Sequence, residues 1–168
     1  IFAIHVPIAG LSLIPILLGN FPLILLPVHI VFLELIIDPA CSILFEAEKE
    51  ENTIMNRPPK RIDEAVFGFK KILISCLQGV IILILTLTVY FVGLHIGYQE
   101  NEVRTMAYIT LIVSNIALIL TSRSWTDIIF RIIVTPNRAV FWVLGGPILF
   151  LIMILNIPFF LELFKCHK

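Results

Sequence analysis

Residues 32–48 read FLELIIDPACSILFEAE. Two carboxylates, Glu34 and Asp38, interrupt an apolar run that starts near Phe21 and turns polar only at Glu46, and a proline follows the second acid directly. On an α-helix, residues four apart share a face one turn from each other, so the two acids are expected side by side. Like charges so placed in hydrocarbon repel and are poorly solvated, and acids inside membrane segments mark ion pathways or pair with a cation. Pro39 has no amide hydrogen to give to the carbonyl of Leu35, and its ring presses on that carbonyl, which predicts a helix broken near Asp38-Pro39. Two carboxylates and the freed carbonyl of Leu35 form an all-oxygen set of the kind hard cations take.

The rest of the chain is what a bilayer solvates. Of 168 residues, 59% are hydrophobic and only 14% charged, with a mean hydropathy of +1.03, far from soluble usage. A net charge of zero gives no reason to expect a nucleic-acid partner. Cys41, Cys76 and Cys166 have neither ligand-like nor disulfide-like spacing, so no zinc or redox function follows. The start, IFAIHVPIAGLSLIPILL, lacks the charged region and cleavage site of a signal peptide, and the chain opens on Ile1; it is read as a fragment.

A membrane-crossing helix needs about 20 mostly apolar residues, and the sequence predicts an all-α, polytopic membrane helical bundle with about five transmembrane helices. The spans are Ile1–Leu18, Leu23–Phe45, Ile72 to about Ile96, Thr105 to about Leu120, and Ala139–Leu161. The tight link Gly19-Asn20-Phe21-Pro22 makes the first two a helical hairpin, expected to pack around the acids. Between the fourth and fifth spans, Trp125, Ile128, Ile129, Ile132 and Ile133 recur at helical spacing with Asp127 and Arg131 on another face, which reads as an amphipathic helix at the interface. Lys49, Arg57, Lys60, Arg61, Lys70 and Lys71 crowd one loop and Arg123, Arg131 and Arg138 another. Basic residues favour the cytoplasmic side, so these two loops face the cytoplasm. Further candidate ligands are Asn115, an amide inside the fourth span, and His5, in a helix that Pro7 loosens.

With ILLPVHIVFLELIIDPA (residues 24–40) followed by MNRPPKR (55–61), the chain resembles the C-terminal membrane region of P-type cation-transporting ATPases, nearest the calcium-pump branch. The features that carry the resemblance are a proline-initiated helix, an acid-bearing kink within it, and a loop with the element Arg57-Pro58-Pro59-Lys60. HIVFLELIIDPACSI (29–43) is similar to bacterial members, which implies a multi-pass protein of a bacterial cell membrane. The resemblance covers residues 1–168 and implies that the five spans are the family's fifth to ninth helices. It also implies that the phosphorylation, nucleotide and actuator domains, with their ATP and Mg2+, lie N-terminal to this chain, which alone hydrolyses no ATP. Its partners are then the lipid bilayer and those domains, the loop at Arg57–Lys60 coupling the two.

Animal calcium pumps carry N-x-x-T-D in the sixth helix. Here the stretch is Glu34-Leu35-Ile36-Ile37-Asp38, so Asp38 matches, Glu34 stands at the Asn and Ile37 offers no ligand in place of the Thr. The N-x-x-E of the fifth helix faces His5-Val6-Pro7-Ile8, and Asn115 stands where the eighth helix has another ligand acid. The resemblance therefore implies one divalent site, for Ca2+ or another divalent cation, centred on Glu34 and Asp38. The residues alone also fit a secondary transporter with a Glu/Asp proton or sodium relay, or a passive channel or assembly subunit with a structural acid pair.

The charge bias yields a test of sidedness. In intact cells expressing the full-length protein, a cysteine introduced by Asn56→Cys should resist an impermeant thiol reagent added outside, whereas Gln99→Cys should react; the reverse pattern would overturn the orientation.

Overall fold

The computed structural model describes residues 2–19, 21–46, 68–123 and 138–164, and every element in them is helical. The order is α1 (Phe2–Leu18), α2 (Pro27–Glu46), α3 (Phe69–Ile96), α4 (Glu100–Arg123), α5 (Arg138–Asn156) and α6 (Pro158–Leu163). The amphipathic segment at 125–133, the basic element Arg57–Lys60 and the tail beyond Phe164 lie outside the described residues.

Two expectations need correction. The helix does not break at Pro39: α2 runs as one helix from Pro27 to Glu46 with the proline inside it. A proline removes one donor, while opening a helix in hydrocarbon strands further backbone groups with no water to satisfy them. The break instead falls in the fifth span, at Ile157, whose backbone is extended (φ −95°, ψ 119°) just before Pro158. Crowding by a proline ring drives the preceding residue to that conformation. The adjoining last turn of α5 gains a side-chain bond, the Asn156 amide donating to the Ile152 carbonyl at 2.8 Å.

Nor do the first two helices lie along each other. Among the described residues α1 packs chiefly on α3, α3 on α4, and α2 on α5 and α4. The reason is local. Pro7 leaves the Ala3 carbonyl without its helical donor, and Gly79 of α3 lets that carbonyl come close. A Cβ on Gly79 would stand 2.8 Å from the Ala3 oxygen and 2.7 Å from the Val6 Cβ.

The α1–α2 link is held by the neighbouring helices. Buried Tyr90 donates its hydroxyl to the Pro22 carbonyl (3.0 Å), and buried Arg104 donates Nε–H to the Leu23 carbonyl (3.1 Å). The rest of the Arg104 guanidinium is bound by Asn101 and Glu100. Because Arg104 is employed in this way, α4 starts at Glu100, earlier than the polarity of GYQENEVR suggests. Glu102 accepts the Gln99 backbone N–H at 2.9 Å, one half of a capping box. Gly97 closes α3 in the left-handed region (φ 96°), a conformation that costs a glycine little.

Among the described residues two helices, Phe69–Ile96 and Glu100–Thr121, are long and apolar enough to cross a membrane, and shorter apolar helices cover Ala3–Leu18 and Gly145–Asn156. Large side chains such as Leu17, Leu77, Ile84, Val113 and Leu149 point out of the bundle. Such surface is expensive in water and ordinary in lipid.

Gly79→Ala should therefore lower thermal stability in detergent by about 1–3 kcal/mol, the usual cost of overpacking, because the obstructing atoms include backbone. An unchanged melting temperature would contradict the close α1–α3 approach.

Candidate functional site

Glu34 stands near the middle of α2 and faces α1. Its carboxylate Oε2 lies 3.3 Å from Nε2 of His5, and the two side chains are 37% and 44% exposed. The structure thus brings together two sequence-selected residues that lie on different helices. Asp38 follows one turn later on the same face of α2; its side chain lies outside the described residues. The Leu35 carbonyl, opposite Pro39, has no helical donor, although α2 continues past it. Among the described residues no three His, Cys, Asp or Glu side chains gather as a metal cluster.

Asn115 is wholly buried, and among the described residues neither its amide nitrogen nor its oxygen has a hydrogen-bond partner. An unpaired buried amide is costly, of the order of 1–3 kcal/mol, and native structures hold few of them. Its depth follows from how α2 and α4 run. The His29 ring, near the start of α2, lies on Tyr108, about two turns into α4, centroids 4.5 Å apart. Further along, Leu33 and Ile37 face Ile112 across a small apolar gap. The helices are thus parallel, and two turns beyond the His29–Tyr108 contact Asn115 comes level with Ile36, within the Glu34–Asp38 segment of α2.

His29 is a fastening between distant parts of the chain. Nδ1 accepts the Leu26 backbone N–H at 3.0 Å, so the ring proton is on Nε2, which donates to the Phe164 carbonyl at 3.0 Å. That bond joins the start of α2 to the end of α6 across 135 residues. Phe32, Phe150, Phe160 and Tyr108 pack their rings around Phe164. The sequence signal was a histidine two residues after a helix-starting proline, which does not reveal a partner so distant.

Apolar helices with bare outer faces, which carry a half-exposed carboxylate–imidazole pair and a buried amide, define an integral membrane bundle with polar groups among its helices. The family model described as cation transporting ATPase, C-terminus, matches residues 22–168, and the chain belongs to that family. It is the C-terminal membrane region of a P-type cation ATPase, whose parent is an enzyme. No curated protein matches the chain.

The unpaired amide yields a stability test. In chelator, Asn115→Leu, which keeps the shape and removes both unpaired atoms, should stabilise the protein by about 1–3 kcal/mol. A fall in melting temperature would mean that the amide has a partner in the ion-free protein.

Proposed function

We propose that this chain binds and translocates a divalent cation for an ATP-driven pump, with Glu34 and Asp38 as the charged ligands and the Leu35 carbonyl, Asn115 and His5 as further donors. The observation that carries the reading is the Glu34 carboxylate in the middle of an apolar helix, turned to His5 of another helix and, among the described residues, not to a lysine or arginine. Arg104 is bound at the start of α4 by Leu23, Asn101 and Glu100. A carboxylate at such a site wants a cation from outside the fold, and a set rich in oxygen suits a divalent cation such as Ca2+ or Mn2+.

Family membership supports the ATP-driven form over a secondary transporter. On this reading ATP and Mg2+ act in phosphorylation, nucleotide and actuator domains N-terminal to this chain. Arg57-Pro58-Pro59-Lys60 passes their movements to the helices, and the membrane is a bacterial cell membrane. The chain's own part is to bind, orient and release the ion. One charged pair, with Ile37 offering no ligand, suits a single divalent ion.

Asp38→Asn in the full-length protein keeps shape and removes charge, and should abolish cation-dependent phosphorylation from ATP. Glu34→Gln should weaken cation affinity at least tenfold, about 1.4 kcal/mol. Asn115→Ala should cost less, since it removes a neutral donor, and Ile37→Thr should strengthen binding by adding an oxygen. Phosphoenzyme measured against cation concentration at matched expression checks all four. Unchanged cation dependence in both acid variants would leave Glu34 and Asp38 as structural residues.

A further inference from the structure

One of the candidate donors beside Glu34 is a nitrogen, Nε2 of His5. We propose, resting on the cation-site reading above, that His5 Nε2 is a direct ligand and that the site selects a first-row divalent cation of the Mn2+ type over Ca2+. Two donors each about 2.1 Å from a common ion are about 3.3 Å apart when the angle at the ion is near 100°. His5 Nε2 and Glu34 Oε2 are separated by 3.3 Å, a spacing that one small ion can bridge.

Imidazole nitrogen is a borderline donor that favours first-row metals, whereas Ca2+ takes oxygen ligands, six to eight of them. Carboxylates and carbonyls suit Mn2+ as well as Ca2+, so adding one nitrogen to them shifts the balance toward Mn2+. The remaining donors are few: Glu34, Asp38, the Leu35 carbonyl and Asn115. A smaller ion needs fewer of them. Asn115 is the independent sign of an absent ligand at this depth, being fully buried with both amide atoms unpaired. Val6 and Ile8, beside His5, bring no donor side chain that an all-oxygen calcium site would want.

The probes are Mn2+ and Ca2+ as chloride salts, applied to the full-length protein in native membranes. Phosphoenzyme formation in the wild type should reach half-maximum at a Mn2+ concentration at least tenfold below that for Ca2+. His5→Gln, which offers an amide oxygen in place of the ring nitrogen, should reduce that ratio about tenfold while Ca2+ still activates. His5→Asn serves as the second variant should the first express poorly. Pulsed electron paramagnetic resonance of Mn2+ bound to the wild type should show modulation by a coordinated 14N nucleus, absent in the variant. A wild-type spectrum without nitrogen modulation, or a Mn2+/Ca2+ ratio unmoved by His5 substitution, overturns the inference even where Glu34→Gln weakens both ions. If the acid variants move neither ion, the cation-site reading itself falls.

Discussion

Hydrocarbon offers no hydrogen bonds, so each polar group inside this bundle must find its partner in the protein or in a ligand. That constraint orders most of the polar structure. At the α1–α2 link, the Pro22 and Leu23 carbonyls are taken by Tyr90 and Arg104. At the start of α2, both ring nitrogens of His29 are used, one by Leu26 and the other by Phe164. Three groups among the described residues come to similar depth along α2: Glu34 facing His5, the carbonyl opposite Pro39, and the amide of Asn115. The bundle is fastened at the end that carries its short links and left polar along α2.

The contrast between Pro39 and Pro158 shows how much depends on surroundings. Both lack a donor and both crowd the preceding turn. At Pro158 the chain leaves the helix through an extended Ile157, and new bonds take over: Phe160 and Leu161 donate to the Ile157 carbonyl, while Asn156 covers Ile152. At Pro39 the helix continues. A continuous α2 holds the Glu34 and Asp38 backbones one turn apart at a fixed spacing, a firmer base for a shared ion than an unwound segment. Small residues matter in the same way, since Gly79 brings α3 against the Ala3 carbonyl and so positions the helix that carries His5.

The fold class was legible because it follows from bulk quantities, namely long apolar segments separated by short polar links. Helix ends near Leu18 and Ile96 were legible too, each followed by a glycine. The start of α4 was not, because Arg104 reads as loop charge until its partners Leu23, Asn101 and Glu100 are known. Helix pairing was likewise out of reach: a four-residue link suggests a hairpin, but whether α1 turns to α2 or α3 depends on a glycine more than 70 residues away. At the site, Glu34 and Asn115 stood out as polar residues in apolar runs, and the sequence set His5 beside them only as a candidate. Its position against Glu34 is a tertiary fact that no spacing encodes.

The central claim is that the acids of α2 hold the transported ion. Equilibrium binding of radioactive 54Mn2+ and 45Ca2+ to the full-length protein without ATP, counted per phosphorylatable molecule, tests it without relying on turnover. The account predicts a single saturable divalent ion in the wild type and none in the double variant Glu34→Gln, Asp38→Asn. Equal binding of either ion by both proteins would contradict it.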